Sequence, residues 1–395
     1  MTDLEGVSKS PSDDARSAVV QFADRASPRR PDGSVGVLLN RMLVYARPDQ
    51  VSNLRSHVSL DRGGFILAGA KVHGRMRLME ESGYQGVVLA DPAAYEKHLA
   101  TPDAPFWTPE GQALPMTLDG MLDQQLVAGA AAAITPTKFI RAGDTDSLRA
   151  AARQVKDLRR DDVIFAVPLD VSLLDRHYIR QVKAILVDAG CPVGLVLGGQ
   201  LDPLAQAASR IIKNLRQLAA SIDLFPMRTD FNAFDLVAHG AFAGAIGTSG
   251  SVRHAVEPPQ KPFYIVSDAS PSVLVPEFMC WWKGSKLAKL FGARQHLIPQ
   301  CPCAVCGGGR LARLRRGADK NEAMAHAVAT WTGYASDMLD APTMRLRAQY
   351  WKNICTYALQ NHVMFAKQLQ RVKPIEPQGP LKVWAELPLW VTDQP

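Results

Sequence analysis

Between about residue 36 and residue 250, the chain alternates short apolar runs with longer amphipathic stretches. Seven apolar runs stand out, at residues 65–68, 86–90, 130–135, 163–169, 193–197, 224–227 and 243–246. Most of them are apolar at every position, which is typical of parallel strands that are buried on both faces. An eighth strand is predicted before them, at residues 35–39 or at residues 42–46.

The stretches between these runs carry apolar residues at helical spacing. One predicted helix starts near Asp146 and continues to Leu158, and another covers residues 174–189 and ends at Gly190. Repeated strand–helix units with right-handed crossovers form either a doubly wound sheet or a barrel. Because eight strands are expected, the sequence predicts an α/β fold of the TIM (β/α)8 barrel type.

This pattern divides the chain into three regions. Residues 1–35 are polar, charged and rich in Ser, Asp, Arg and Pro, which predicts a flexible N-terminal arm. Residues 36–257 form the predicted barrel. Residues 258–395 contain segments rich in Pro and aromatic residues, a cysteine cluster and a long helical stretch from about residue 319 to residue 370, which predicts a zinc-binding and helical C-terminal region.

Composition narrows the class of protein. With 47% hydrophobic and 21% charged residues, the chain can bury a large core. It has no run of about 18 apolar residues and no basic head followed by an apolar stretch. We therefore expect no membrane partner, no signal peptide and a cytoplasmic location. The net charge of +7 permits a polyanionic partner without requiring one.

Three of the six cysteines fall within six positions, at Cys301, Cys303 and Cys306. Clustered cysteines favour metal binding over a disulfide framework. Thiolates at CxCxxC spacing can converge on one tetrahedral ion, and a structural zinc site takes four such ligands. His326, on the predicted helix downstream, is the candidate fourth ligand, so we predict a Cys3His zinc site. The alternative is that the cysteines are small core residues.

A CxCxxC motif followed by a helical histidine, after a barrel-like sequence, resembles the zinc signature of the tRNA-guanine transglycosylase family. The resemblance runs from about residue 60 to residue 340. It implies a TIM barrel whose zinc subdomain helps to bind tRNA and to form a homodimer. It also implies two aspartates at strand ends: one attacks the ribose while guanine leaves and a 7-deazaguanine enters, and the other assists proton transfer.

The resemblance assigns residues of this chain to a base-binding pocket. It places the assisting aspartate at Asp91, and the Gly-Gly turn that faces the base at Gly198 and Gly199. The aspartate and the glutamine that read the guanine edge are replaced here, at Thr137 and Leu169. A site that loses its hydrogen-bonding partners for a heterocycle loses much of its discrimination.

The nucleophile of the family falls at Gly247 or Thr248, and neither residue carries the ionised carboxylate that this chemistry uses. The zinc-binding segment also differs from the family's pattern, because the family's histidine falls at Thr332 rather than at His326. The retained zinc motif and the lost nucleophile together predict a barrel whose site has been remodelled.

Other residues offer alternative chemistry. Asp230 ends a candidate strand and could supply a displaced carboxylate, because barrel sites collect residues from several strands; its alternative role is a helix N-cap. The loop after the last strand offers Thr248, Ser249 and Arg253 to an anion, with a tight, partly buried turn as the alternative. Aromatic and basic residues at 281–289 and 310–316 would suit a nucleic acid, an acidic protein surface or solvent.

Two functions follow from the resemblance. Relatives of these transglycosylases occur in anti-phage gene clusters, including the CBASS type, beside enzymes of 7-deazapurine synthesis. That placement implies a repurposed protein that binds a partner protein, and a 7-deazapurine, while the partner is modified. The second function is active base exchange on tRNA or DNA, with Asp91 and Asp230 as the catalytic carboxylates. A TIM-barrel enzyme of unrelated chemistry would require an accidental CxCxxC match.

Overall fold

The computed structural model describes residues 22–69, 71–109, 116–200, 202–205, 209–261, 268–377 and 379–390. Its central feature is a sheet of eight parallel strands. The strands are β1 (Arg41–Ala46), β2 (Phe65–Ala68), β3 (Val88–Asp91), β4 (Ala133–Ile134), β5 (Val163–Asp170), β6 (Val193–Gly198), β7 (Leu224–Pro226) and β8 (Ala243–Gly247).

The sheet closes on itself as a barrel. Strands β1 to β7 pair in chain order, and β1 also pairs with β8. The remaining gap, between β7 and β8, is bridged by Thr229 and Ile246, and the Phe242 N–H donates to the Leu224 carbonyl oxygen at 3.0 Å. In such a barrel, side chains fill the interior and helices cover the outer face, which explains why the apolar runs are buried on both faces.

Seven helices of the described residues accompany the barrel strands. They are α1 (Val51–Leu54), α2 (Val72–Glu81), α3 (Leu118–Val127), α4 (Thr145–Leu158), α5 (Ile179–Ala189), α6 (Ser209–Ala219) and α7 (Asn232–Ala238). Helix α4 shows why they form: its buried residues Leu148, Ala151, Ala152 and Val155 recur at helical spacing and face the sheet. The predicted TIM barrel is confirmed.

Two details differ from the simplest interpretation of the pattern. Of the two candidates for the first strand, residues 42–46 lie in β1, whereas Gly33–Leu38 is a short 3-10 helix. The helix predicted over residues 174–189 begins later, at Ile179. The preceding segment Val171–Leu174 is a 3-10 helix of its own, because Asp170 accepts a hydrogen bond from the Ser172 N–H and caps it.

Most of the predicted N-terminal arm, residues 1–21, lies outside the described residues. The described part of the arm packs on the protein. The Phe22 ring contacts the Trp390 ring with centroids 5.9 Å apart, and Val35 is fully buried.

The described residues of the C-terminal region add a hairpin and four helices. They are β9 (Ser272–Val275), β10 (Cys280–Lys283), α8 (Gly284–Phe291), α9 (Lys320–Leu339), α10 (Met344–Gln368) and α11 (Leu381–Glu386). The long helical stretch predicted for this region is therefore two helices. The second starts anew because the Thr343 side chain accepts a hydrogen bond from the Leu346 N–H and caps it.

A buried polar cluster fixes α10 to the barrel. Asp235 of α7 is fully buried and accepts hydrogen bonds from the Arg216 guanidinium at 2.6 Å and from the Trp351 indole N–H at 3.1 Å. The Trp351 ring also stacks on Phe234, with centroids 5.3 Å apart. Paired and hydrogen-bonded charges tolerate burial, so this cluster joins two regions that the sequence pattern separates.

Among the helices described, none combines the length and the apolar character that crossing a bilayer requires.

Candidate functional site

The four predicted metal ligands converge beside the start of α9. The Sγ atoms of Cys301, Cys303 and Cys306 lie 3.5, 3.5 and 3.3 Å from Nδ1 of His326, and all four atoms lie within 4.8 Å of one another. With a metal–sulfur bond of about 2.3 Å and a metal–nitrogen bond of about 2.0 Å, tetrahedral geometry requires S···N separations of about 3.5 Å. The cluster therefore has the dimensions of a tetrahedral metal site.

A hydrogen bond fixes which ring nitrogen of His326 faces the sulfurs. Its Nε2 lies 2.8 Å from the Leu274 carbonyl oxygen. Because a carbonyl only accepts, Nε2 carries the proton and Nδ1 presents its lone pair to the three thiols. Thr332, where the family's histidine falls, instead donates to the Val328 carbonyl oxygen of its own helix. His326, rather than Thr332, is thus the residue of α9 whose nitrogen faces all three cysteines.

The glycines after the cysteines shape the turn that holds them. The Gly307 N–H donates to the Cys303 carbonyl oxygen and the Gly308 N–H to the Cys301 carbonyl oxygen, both at 2.9 Å. Gly307 and Gly308 have φ values of +54° and +85°, which residues with a side chain rarely adopt. The glycine run therefore lets the chain fold back and direct the three sulfurs to one side.

Asp91 ends β3 as predicted, but both of its oxygens are engaged. Oδ2 accepts hydrogen bonds from the Tyr45 and Tyr95 hydroxyls, and Oδ1 accepts one from the Ala93 N–H, all at 2.7 Å. Burial raises the pKa of Asp91, and these hydrogen bonds oppose that effect. Asp91 also lines a cavity of about 770 Å³. Its hydrogen bonds make it a structural anchor at the strand end.

Arg228 occupies the barrel mouth next to Asp91. Its guanidinium lies 5.7 Å from the centroid of Tyr45 and 5.3 Å from that of Tyr95. It also donates to Glu96 and to two carbonyl oxygens of the loop after β8, those of His254 at 3.0 Å and Ser251 at 2.9 Å. Arg228 therefore packs on the two tyrosines that hydrogen-bond to Asp91, and it fixes the neighbouring loop.

The residues at the positions that the resemblance assigns to base reading pack against neighbouring parts of the protein. A Cβ on Gly198 would lie 2.4 Å from the Phe139 ring, so that ring covers this face of the turn, while Gly199 packs on Pro203. Thr137 is fully buried and its Oγ1 lies 2.8 Å from the Thr135 hydroxyl. Leu169 is fully buried within β5. None of these positions lines either of the two cavities described at this end of the barrel.

Gly247, one of the two positions that the resemblance assigns to the nucleophile, has no room for a side chain. A Cβ there would lie 2.0 Å from the Val252 carbonyl oxygen and 2.9 Å from the Arg253 Cγ. The Thr248 hydroxyl donates to the Gln50 amide oxygen at 2.8 Å, and the Ser249 and Ser251 hydroxyls lie 3.1 Å apart. The loop is thus a tight turn that bonds mainly to itself and to β1.

Asp230 faces a different cavity, of about 400 Å³, at the carboxyl ends of β6, β7 and β8. Asp202, which follows β6, lines the same cavity. Each carboxyl group is held through Oδ1, which accepts from the Asn232 N–H at 3.0 Å in Asp230 and from the Leu204 N–H at 2.9 Å in Asp202. The N-cap of α7 is Phe231 rather than Asp230, but Asp230 accepts a hydrogen bond from the first N–H of the helix, at Asn232, and it also lines the cavity.

The two carboxyl groups perturb each other. Burial, followed by the negative charge of Asp230, raises the pKa of Asp202 to about 7. Burial also raises the pKa of Asp230. Near neutral pH, the pair therefore holds a proton for part of the time, as expected for two acids that share one cavity.

A cation and an aromatic ring line the same cavity. The Arg253 guanidinium lies 3.7 Å from the centroid of Trp281, whose ring stacks on Phe231 with centroids 4.2 Å apart. Burial lowers the pKa of Arg253 to about 9, and Asp230 opposes this. Burial and the nearby arginines lower the pKa of His254 to about 4, so its ring is neutral near pH 7. The cavity thus offers acids, a cation and a neutral base.

Sequence reasoning found Asp91, Asp230 and Arg253 but missed Asp202 and Arg228. Asp202 follows the Gly-Gly turn at the end of β6, so its place directly after a strand was the available signal. Arg228 offered no comparable signal, because its position over two tyrosines depends on strands far apart in sequence.

The basic residues near the metal centre are partly neutralised. Arg313 pairs with Glu322 at 2.6 Å and Arg316 with Asp319 at 3.5 Å. Lys283 donates to the carbonyl oxygens of Asp268 and Ser270. This surface therefore carries less free positive charge than the sequence indicates.

Comparisons with known proteins identify no family for this chain. No protein-family model and no curated protein matches the chain. Among solved structures, the carboxyl transferase domain (Y628A) of Rhizobium etli pyruvate carboxylase matches with a TM-score of 0.35, 11% identity and coverage of 93% of this chain. The chain spans 59% of the length of that domain. An active domain 2 of chitinase from Pyrococcus furiosus matches with a TM-score of 0.29, 13% identity and coverage of 60% of this chain and 93% of its own. Similarity at this level does not bear on activity.

Proposed function

We propose that this protein is a divergent relative of the tRNA-guanine transglycosylases that keeps the barrel and a zinc centre but has lost base exchange at the family's position. In this role it binds a partner protein, and a 7-deazapurine, in a modification or anti-phage defence pathway. The single observation that carries the loss of exchange is the closed space at Gly247, where the Val252 carbonyl oxygen lies 2.0 Å from any Cβ.

The state of Asp91 supports the same conclusion. A carboxylate that assists proton transfer needs an oxygen lone pair that the substrate can reach. In Asp91, Oδ2 accepts two hydrogen bonds within the protein and Oδ1 accepts one, which reduces the capacity left for a substrate. The ring of Phe139 also covers Gly198, where the resemblance places the base. The partner and the pathway rest on the family resemblance alone.

Zinc is the metal that the donor set favours. Three thiols and one imidazole nitrogen in tetrahedral arrangement are a usual structural zinc set, whereas iron–sulfur clusters mostly take four thiolates. The sulfurs of Cys301, Cys303 and Cys306 with Nδ1 of His326 would supply all four ligands and leave no open position. The metal would then hold the cysteine turn to α9, whose His326 also bonds to the β9 carbonyl oxygen of Leu274, and it would take no part in catalysis.

Active base exchange is the second candidate, and one observation favours it. The Oδ2 of Asp230 has no hydrogen-bond partner among the described residues, and the side chain faces a cavity at the strand ends. In this version Asp230, rather than a residue of β8, would attack the ribose carbon, and the protonated partner Asp202 would assist the leaving base.

An exchange assay separates the two candidates. Zinc-loaded protein is incubated with tRNA, or with DNA in a parallel reaction, and radiolabelled guanine, and incorporation is measured after precipitation. We expect no incorporation from the wild type. Incorporation that disappears in Asp230→Asn, but not in the control Asp170→Asn, would overturn the proposal and support exchange at the second cavity.

A further inference from the structure

The cavity of about 400 Å³ at the ends of β6, β7 and β8 brings together opposite charges that do not pair. Asp202, Asp230 and Arg253 all line it. Asp230 and Arg253 are close enough to shift each other's pKa. No ion pair within 4.0 Å joins Arg253 to either carboxyl group among the described residues. Space therefore separates the cation from the acids.

Each charged side chain that borders this space has one atom in a hydrogen bond and other polar atoms without a partner among the described residues. Among the described residues, the Arg253 guanidinium makes one hydrogen bond, from Nε to the Gly247 carbonyl oxygen at 3.1 Å. Its terminal nitrogens have no partner there. Each carboxyl group is likewise held through Oδ1, while its Oδ2 has no hydrogen-bond partner in the described part of the chain.

The remaining wall of the cavity is apolar. Leu197, Phe231, Met279 and Trp384 line it, together with the Trp281 ring that supports Arg253. Small-molecule sites usually combine such walls with a few converging polar groups, in a volume of roughly 300–1,000 Å³. Partly buried charges without partners are unfavourable, so a ligand that supplies the complementary charges gains free energy on binding.

We propose that this cavity binds a small zwitterion of the α-amino-acid class, with its ammonium group between Asp202 and Asp230, its carboxylate on Arg253 and an apolar side chain on the wall. A guanidinium binds a carboxylate through two parallel hydrogen bonds, which the terminal nitrogens of Arg253 can provide. An ammonium group has three donors, and two open carboxylate oxygens accept them. The inference is independent of whether the barrel exchanges bases.

The charge of the cavity favours a zwitterion over a simple anion or a simple cation. An anion would meet two carboxyl groups beside the one arginine, and a cation without a carboxylate would leave Arg253 without a partner. His254 and Cys280, the other titratable groups of the lining, add no charge near pH 7, because burial lowers the pKa of His254 to about 4 and raises the pKa of the Cys280 thiol well above its usual value. A bound ammonium group replaces the proton that the pair holds near neutral pH, so binding releases protons.

Isothermal titration calorimetry on the full-length, zinc-loaded protein tests the inference with a panel of the twenty free amino acids. We expect at least one apolar member, such as L-leucine, L-methionine or L-phenylalanine, to bind. Its amide, which lacks the carboxylate, and its N-acetyl form, which lacks the ammonium group, should each bind at least about tenfold more weakly. Failure of all twenty amino acids to bind, or equal binding of the capped forms, overturns the inference.

Variants and buffers provide two further readouts. Asp230→Asn and Arg253→Met should each weaken binding by about tenfold or more. Asp170→Asn, which changes a half-buried aspartate held in a similar turn outside the cavity, should leave binding unchanged. Circular dichroism checks that each variant is folded.

Titration near pH 7 in two buffers of different ionisation enthalpy should show proton release, and proton uptake would contradict the placement of the ammonium group.

Discussion

The carbonyl oxygen of Val252 occupies the place where a side chain on Gly247 would begin, since a Cβ there would lie 2.0 Å from it. The contact arises because the chain turns back after β8 through the 3-10 helix Gly250–Val252. Arg228 fixes that turn through the Ser251 and His254 carbonyl oxygens. A side chain at position 247 would therefore require the backbone after β8 to move.

The first prediction concerns this contact. Gly247→Ala should lower the free energy of unfolding by roughly 1–3 kcal/mol, because a methyl group cannot fit against backbone atoms without displacing them. The same change at Gly333, in α9 with open space around it, should raise stability by roughly 0.5–1 kcal/mol, because alanine favours the helix. Chemical denaturation measures both. Equal stability of Gly247→Ala and wild type would refute the closed turn.

The metal centre gives the second prediction. Purified protein should contain one zinc ion per chain by plasma mass spectrometry, and Cys306→Ser and His326→Ala should each lose it. Cys191→Ser, a change at a half-buried cysteine outside the cluster, should retain it. Because the metal connects the turn to α9, chelation should lower the melting temperature of the wild type but not that of His326→Ala. A full metal content in His326→Ala would contradict the assigned ligand set.

The third prediction concerns the buried pair that fixes α10 to the barrel. Asp235→Ala should cost roughly 3–5 kcal/mol, because it leaves Arg216 buried without a counter-charge and removes the acceptor of the Trp351 indole N–H. Asp188→Ala breaks the exposed pair with Lys156 and should cost at most about 1 kcal/mol. Urea denaturation of the two variants checks the contrast, and similar losses would mean that burial does not set the energy of the pair.

The fourth prediction is a pH dependence from the carboxyl pair. The pKa of Asp202 is raised from its usual value of 3.8 to about 7, mainly by burial and then by Asp230. Folded protein therefore holds more protons than unfolded protein between about pH 4 and pH 7, and the free energy of unfolding falls as the pH rises through that window. This slope belongs to the pair of acids rather than to one residue.

Asp202→Asn should flatten this slope, because the amide does not titrate. We expect the variant to be more stable than wild type at about pH 8 and close to it at about pH 4, and Asp170→Asn to keep the wild-type slope. Melting temperatures of the wild type and the two variants, measured across this pH range by differential scanning calorimetry, test this expectation. An unchanged slope in Asp202→Asn would show that the pair does not share a buried proton.

The barrel and the Cys3His cluster were both predictable from the amino-acid sequence. Apolar runs such as residues 65–68 and 193–197 specify strands through their own burial, and their number specifies the closed sheet. The Cys3His cluster was predictable as well, because three of its four ligands lie within one short turn and the fourth is on the next helix. Both kinds of signal are local: the residues that form the feature are near one another in the chain.

Only the tertiary structure decided the state of the strand ends. Whether Asp91 is a free acid depends on Tyr45 from β1, and whether Gly247 can be replaced depends on how the chain returns after β8. The meeting of Asp202 with Asp230 and Arg253 depends on loops after three different strands. A barrel brings residues of distant sequence positions to one face, so the charge and the space at that face result from packing that no single stretch of sequence encodes.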